Sequence, residues 1–88
     1  MNKSFFTIIE VSRLTGLNEE QIVRWIEKEW VTPPESSHLD TEDVARLQMI
    51  QDLIYELGAN DDAVPIILHL VDQLYGAREE IRLIKSTL

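Results

Sequence analysis

The chain has 88 residues, a net charge of −8 and no cysteine. This length allows one hydrophobic core over residues 1–88 and excludes a second domain, while the lack of cysteine excludes disulfides and thiolate metal sites. The sequence contains neither a signal-peptide pattern nor an apolar run long enough to span a bilayer, which indicates a domain that folds in water.

Two phenylalanines, Phe5 and Phe6, precede the first predicted helix and are expected to pack on the core. Thr7 and Glu10 have the spacing of a capping box, so this helix should begin after Thr7. Gly16 favours the left-handed conformation that commonly ends a helix. The apolar residues of the helix recur at helical spacing and are Ile8, Val11 and Leu14.

A second helix is predicted from Asn18 to about Glu29. Asn18 and Gln21 form another capping-box pattern, and acidic residues follow at the positive end of the helix. Pro33–Pro34 forbids further helix, and Glu35–His38 is predicted to form the tip of a very short wing or loop. The apolar face of this helix consists of Ile22, Trp25 and Ile26.

Two further helices complete the predicted fold. The third should begin at Asp40 or Thr41 and end at Gly58. Asn60 should begin a fourth helix that reaches the C-terminus, and Pro65 predicts a late start or a mild kink in its first turn. The buried stripe of the third helix is predicted to comprise Val44, Leu47, Ile50 or Gln51, Ile54 and Leu57.

The fourth helix carries a heptad pattern of apolar residues, which we call the seam. We expect the domain core to cover its first half, Ile67 to Leu74, and the second half to project beyond so small a domain. A homodimer through the C-terminal helix is therefore predicted, with burial of the whole seam inside one chain as the alternative. The seam consists of Ile67, Leu70, Leu74, Ala77, Ile81, Ile84 and Leu88, of which the last six are the predicted dimerisation residues.

Charge is distributed unevenly along the chain. Residues 1–57 carry 11 acidic and 5 basic side chains, against 5 and 3 in residues 58–88. Non-specific affinity for DNA arises when Lys and Arg release counterions from phosphates, and this composition offers few such contacts. An acidic surface favours a basic protein partner instead. The second helix contains Glu19, Glu20, Glu27 and Glu29 against Arg24 and Lys28.

Four segments together resemble the MerR-like winged helix family, and they are Thr7-Ile8 to Gly16-Leu17, Pro33-Pro34, Asp40 to Val44 and Glu56-Leu57-Gly58. The resemblance implies an all-α fold, with a winged helix-turn-helix over residues 1–57, a very short wing, and a long dimerising C-terminal helix over residues 58–88. Antiparallel pairing of that helix is the arrangement implied. Val23 stands where family members carry an arginine in the recognition helix, which argues against DNA binding here.

The chain is more narrowly similar to the CbpM-type chaperone modulators within that fold. The similarity rests on Gly16-Leu17-Asn18-Glu19-Glu20, on Trp30-Val31, and on Leu68-His69-Leu70-Val71-Asp72. It implies a bacterial cytoplasmic protein that binds the J domain of a DnaJ/CbpA-type co-chaperone and thereby limits the interaction of that J domain with its Hsp70 chaperone. No cofactor, membrane or nucleic acid is implied.

The resemblance and the charge pattern together predict a protein-binding surface on the second helix. J domains present a basic helix, which acidic side chains would complement. Trp25 and Trp30, at the end of the helix, are expected to pack in the core; the alternative is that Trp30 is a partly exposed anchor, because tryptophan is enriched at binding hot spots. The alternative for the acids is that they only cap and solvate the helix. The candidate contacts are Glu19, Glu20, Arg24, Glu27, Glu29 and Trp30.

Nothing in the sequence predicts an enzyme. The paired carboxylates Asp61-Asp62 and Glu79-Glu80 have no third ligand at metal-binding spacing. His38 and His69 are far apart, and the three glycines do not form a phosphate-binding loop. The alternative function is a MerR-like DNA-binding transcriptional regulator or an excisionase-like protein, in which Arg13, Arg24 and Lys28 would have to contact DNA.

Overall fold

A computed structural model describes residues 4–35 and 37–87 of the chain. The elements are β1 (Phe5–Phe6), α1 (Ile8–Thr15), α2 (Glu19–Glu27), β2 (Leu39–Asp40), α3 (Thr41–Tyr55) and α4 (Ala63–Thr87). Residues up to Gly58 form one compact unit, and residues from Ala59 onward form a second. Leu88, the predicted last residue of the seam, and Ser36, in the predicted wing tip, lie outside the described residues.

The predicted starts of α1 and α2 are confirmed. Thr7 and Glu10 form a complete capping box, with the Glu10 N–H donating to Thr7 Oγ1 at 3.2 Å. Gly16 ends α1 in the left-handed conformation at φ 81°, and its N–H donates to the Ser12 carbonyl at 2.9 Å. Asn18 Oδ1 accepts the Gln21 N–H at 2.8 Å and begins α2. Local side-chain chemistry therefore sets the helix-turn-helix.

The end of α2 differs from the prediction. The helix stops at Glu27 instead of about Glu29, and Glu29 has a left-handed φ of 61°. The Trp30 N–H donates to the Trp25 carbonyl at 3.1 Å, and the Glu29 N–H donates to the Ile26 carbonyl at 3.0 Å. This pair of bonds is the Schellman arrangement, in which the left-handed position usually holds glycine. A glutamate there gave no sequence signal for the end of the helix.

A small antiparallel sheet accompanies the helices of the first unit. Phe5 pairs with Asp40 and Phe6 pairs with Leu39, while Glu35 and His38 form a bridge at the short wing. The sequence analysis missed both strands, because two residues are too few to show an alternating pattern. The fold is otherwise the predicted one, a mostly helical winged helix-turn-helix with a very short wing and a long last helix.

Helix α3 begins as predicted and ends early. Asp40 caps it through a box with Asp43, whose N–H donates to Asp40 Oδ1 at 2.8 Å. The helix ends at Tyr55, three residues before Gly58. Leu57 therefore lies beyond the last turn and is 76% exposed, so its predicted place in the buried stripe is wrong. The buried hydrophobic residues of the first unit are Val11, Leu17, Ile22, Trp25, Trp30, Val31, Leu39, Leu47 and Ile50.

Helix α4 starts late, as Pro65 predicted. It begins at Ala63, whose N–H donates to Asn60 Oδ1 at 2.9 Å. Its buried residues are Val64 and Leu68, which lie one helical turn apart. Leu70 and Leu74 are 57% and 53% exposed, so neither is buried as expected for the first half of the seam. No described helix combines the length and the apolar character needed to cross a bilayer.

Candidate protein-interaction surfaces

A shallow, open groove runs along the exposed side of α2. We call it the α2 groove, and its lining residues are Glu19, Glu20, Val23, Arg24 and Glu27. All five are exposed, and they recur at spacings of three and four, so they form one stripe of the helix. Four of the six predicted contact residues, namely Glu19, Glu20, Arg24 and Glu27, are thus brought together.

The opposite face of α2 holds this stripe in place. Ile22 is completely buried and Trp25 is 2% exposed, so the helix cannot rotate without losing core packing. The Gln21 Nε2 donates to the Tyr55 hydroxyl at 2.9 Å, which ties the start of α2 to the end of α3. The groove is therefore presented by a helix that is fixed by both packing and a hydrogen bond.

Trp30 packs in the core, as predicted, and is not the exposed anchor of the alternative interpretation. It is 7% exposed, and its ring lies 6.3 Å from that of Trp25, centroid to centroid. Lys28 Nζ lies 4.9 Å from the Trp30 ring centroid, close enough for a cation–π contact. The Trp30 carbonyl also accepts a hydrogen bond from Arg46 Nε. Trp30 is buried because the Schellman turn directs it back toward Trp25.

Glu29 is also displaced from the predicted surface. Because α2 ends at Glu27, Glu29 lies in the left-handed turn after the helix and not on its stripe. It is exposed but does not line the groove.

The sequence analysis missed Val23 as a surface residue. Its side chain is 38% exposed and lies among the carboxylates of the groove. The signal was an apolar residue one position after the buried Ile22, on the polar side of the helix. The groove is lined by three carboxylates, one guanidinium and one apolar side chain.

The seam forms a second exposed surface, on α4. Ile81 and Ile84 are 53% and 60% exposed, which places them with Leu70 and Leu74 as large apolar side chains in contact with water. Ala77 lies between them and is also exposed. Five of the six predicted dimerisation residues therefore share one exposed stripe, and the sixth, Leu88, is not described. An exposed apolar stripe of this kind commonly marks an interaction site.

Two groups of titratable side chains lie outside these surfaces: an exposed ion pair on α4 and a buried acid at the start of α3. No cluster of three or more His, Cys, Asp or Glu side chains is arranged to hold a metal ion in residues 4–35 and 37–87. Glu79 and Arg82 form an exposed ion pair that lowers the pKa of Glu79. Burial raises the pKa of Asp43, and the nearby Asp40 carboxylate raises it further.

Comparison with known proteins agrees with this architecture. No curated protein matches the chain. The family described as MerR HTH family regulatory protein matches residues 6–86, which spans both the helix-turn-helix and α4. The fold, the short wing and the long last helix are those expected for such a match. The chain therefore belongs to the MerR helix-turn-helix family of regulatory proteins.

Proposed function

We propose that this MerR-family chain regulates by binding protein: it binds the J domain of a DnaJ/CbpA-type co-chaperone and limits that domain's interaction with an Hsp70 chaperone. The single observation that carries the proposal is the α2 groove, where a helix-turn-helix protein would normally present basic side chains to DNA. Here three carboxylates line the groove together with Val23, and Arg24 is the one basic residue that lines it. The proposal assigns no catalysis, and it implies a bacterial cytoplasmic protein.

Electrostatics separates a protein partner from DNA. A duplex is a dense polyanion, and binding requires several cations that displace its counterions. The α2 groove would bring Glu19, Glu20 and Glu27 toward phosphates, with one arginine to offset them. A basic helix such as that of a J domain would instead meet complementary charge, which raises the association rate and sets the orientation.

Val23 supplies the apolar contact that charge alone does not. Ion pairs at an exposed rim contribute little affinity, typically ~0.2–1 kcal/mol each. An apolar side chain at the centre of a ring of polar groups can be desolvated when a partner covers it. Arg24 adds a donor for a carboxylate or carbonyl of the partner. Occupation of the basic J-domain helix would leave less of it free for the Hsp70 chaperone.

Charge reversal in the groove tests this assignment. We expect Glu20→Lys with Glu27→Lys to slow association with a purified J domain by roughly tenfold at low salt, since electrostatic steering is a rate effect. The matched control is Glu42→Lys with Glu56→Lys, two exposed acids outside the groove. Both double variants change the net charge from −8 to −4, so a difference between them reports position. Equal slowing in surface plasmon resonance would refute the groove as the binding surface.

The function itself has a separate test. The wild-type chain should capture the J domain of a CbpA-type co-chaperone and should reduce J-domain stimulation of Hsp70 ATP hydrolysis. No capture and no inhibition would refute the proposed function. Fluorescence anisotropy with random duplex DNA covers the alternative, a DNA-binding regulator. Micromolar binding that weakens steeply with salt would favour that alternative.

We also propose that the chain forms a homodimer through the seam of α4. The supporting observation is that four large apolar residues, Leu70, Leu74, Ile81 and Ile84, are each more than half exposed. Full burial of such a side chain is worth ~1.5–3 kcal/mol, so a second copy of the same helix would gain several times that amount. Sedimentation velocity at micromolar concentration tests the proposal, and a monomer would refute it.

A further inference from the structure

An exposed tyrosine lies where the end of α3 meets the start of α2. Tyr55, the last residue of α3, is 59% exposed, and its hydroxyl accepts the hydrogen bond from Gln21 Nε2 at 2.9 Å. A tyrosine that only joined two helices would normally bury its ring, because the ring is a large apolar surface. Tyr55 instead has a fixed hydroxyl and leaves most of its side chain in water, so the bond to Gln21 does not account for the exposed ring.

Gln21 places Tyr55 at the edge of the α2 groove. Gln21 directly follows Glu20 and lies one turn before Arg24, and both of those residues line the groove. The hydroxyl held by Gln21 therefore lies beside the groove on its Arg24 side, within the same compact unit of the chain. A partner that covers this side of the groove would also meet the ring.

We propose that Tyr55 is an aromatic anchor of the protein-binding surface, and that its ring receives a lysine or arginine side chain from the basic helix of the partner. This inference rests on the proposed function and adds a contact residue to the same surface. The face of an aromatic ring attracts a cation, and the ring also packs against the aliphatic stem of a lysine or arginine. Tyrosine is enriched at binding hot spots, where single residues contribute much of the affinity.

The ring of Tyr55 supplies what the carboxylates of the groove do not. Exposed carboxylates attract cations from a distance, but their ion pairs add little affinity. A ring that is covered by the partner adds apolar burial and a cation–π contact, both of which act after the encounter and slow dissociation. Because the hydroxyl accepts the bond from Gln21, its own proton can be donated to a carbonyl or carboxylate of the partner. The same bond holds the side chain in place, which reduces the entropy lost on binding.

The test measures the rates of J-domain binding by surface plasmon resonance for the wild-type chain and for Tyr55→Ala. We expect Tyr55→Ala to release a purified J domain roughly tenfold faster, while the association rate changes by less than about twofold because the charges of the groove are untouched. The matched control is Tyr75→Ala, since Tyr75 is 65% exposed and lies on α4. It should release the J domain at the wild-type rate. Equal release by wild type and Tyr55→Ala, or equal acceleration by both alanine variants, would overturn the anchor.

Two further variants separate the ring from its hydrogen bond. Tyr55→Phe keeps the ring and loses the hydroxyl, and Gln21→Ala removes the donor, so each breaks the bond between α2 and α3. We expect either variant to accelerate release by less than about threefold, because the ring remains in reach of the partner. If both release the J domain as fast as Tyr55→Ala, the hydrogen bond positions α2 and the ring is not a contact, which would overturn the anchor.

Failure of this inference differs from failure of the proposed function. Truncation of an exposed side chain should leave the fold intact, and far-UV circular dichroism of each variant checks this. A wild-type chain that captures the J domain and a Tyr55→Ala chain with the same dissociation rate would refute the anchor alone. A wild-type chain that captures no J domain would refute the proposed function and the anchor together.

Discussion

Helices α2 and α4 differ in whether their apolar residues are buried or exposed. The nine-residue α2 buries Ile22 and Trp25 and turns carboxylates to the solvent. The 25-residue α4 buries only Val64 and Leu68 and exposes a long apolar stripe. One chain therefore offers two chemically different surfaces: α2 suits a basic partner approached through charge, and α4 suits an apolar partner bound through packing.

The charged surface of α2 and the apolar surface of α4 should also contribute differently to binding. A charged groove mainly changes the rate and orientation of encounter and loses strength in salt. An apolar stripe binds through removal of surface from water and depends little on salt. Association through α2 should therefore weaken as salt rises, whereas self-association through α4 should persist.

The largest expected effect is loss of the proposed dimer when a charge is introduced into the seam. Ile81→Glu should weaken self-association by roughly 100-fold or more, since two copies each lose ~1.5–3 kcal/mol of apolar burial. The control is Leu83→Glu, because Leu83 is 52% exposed, against 53% for Ile81, but lies outside the seam. Sedimentation velocity measures both dissociation constants. Equal weakening by the two variants would show that general acidity, and not the seam, controls association.

A core substitution in α3 should produce the next largest effect. Leu47→Ala removes a completely buried side chain and should lower the free energy of unfolding by ~2–5 kcal/mol. Leu57→Ala is the same chemical change at a site that is 76% exposed, and should alter it by less than ~0.5 kcal/mol. Urea denaturation measures the pair. A large loss for Leu57→Ala would restore Leu57 to the buried stripe that the sequence predicted.

Leu47 and Leu57 show where the sequence patterns predicted the structure and where they did not. Helix starts at Thr7, Asn18 and Asp40 were predicted because capping depends on side chains three residues apart. Leu57 was misplaced because its apolar spacing continues after the hydrogen bonds of α3 have ended. Periodicity describes a helix only as far as the helix extends.

The residues of the α2 groove could be predicted in part, because helical periodicity also shows which residues share an exposed face. Glu19, Glu20, Arg24 and Glu27 share a stripe that helical spacing alone implies. Trp30 was included among the candidate contacts by its residue type, but it is buried by a turn that reverses the chain toward Trp25. Such a contact is tertiary, and no pattern of neighbouring residues encodes it.

Substitution of Glu29 by glycine should change the stability of the fold by less, and should increase it. Left-handed backbone costs a non-glycine residue ~1–2 kcal/mol, so Glu29→Gly should stabilise the fold by roughly 0.5–1 kcal/mol after the entropy cost of glycine. Glu27→Gly, in the last turn of α2, should destabilise it by up to ~1 kcal/mol. Thermal denaturation compares the two variants.

The same Glu29→Gly variant also tests the boundary of the α2 groove. Because Glu29 lies outside the groove, its loss should leave the J-domain association rate unchanged. A rate reduced as far as that of a groove variant would extend the binding surface beyond the end of α2.

The smallest expected effect concerns the pH dependence of stability at Asp43. Burial raises the pKa of this carboxyl above its ordinary value of 3.8, despite the opposing hydrogen bond from the Asp40 N–H. The folded chain therefore holds this proton more tightly than the unfolded chain. The resulting stabilisation is complete below pH 3.8 and is lost as pH rises through the raised folded-state pKa.

Asp43→Asn isolates this contribution, because asparagine keeps an oxygen for the Asp40 N–H but does not titrate. Relative to wild type, the variant should gain stability as pH rises from about 4, and the gain should level off once wild-type Asp43 is ionised. Urea denaturation of both proteins between about pH 3.5 and 7 gives this difference. A difference for Asp43→Asn that does not vary with pH would show that folding does not raise the pKa of Asp43.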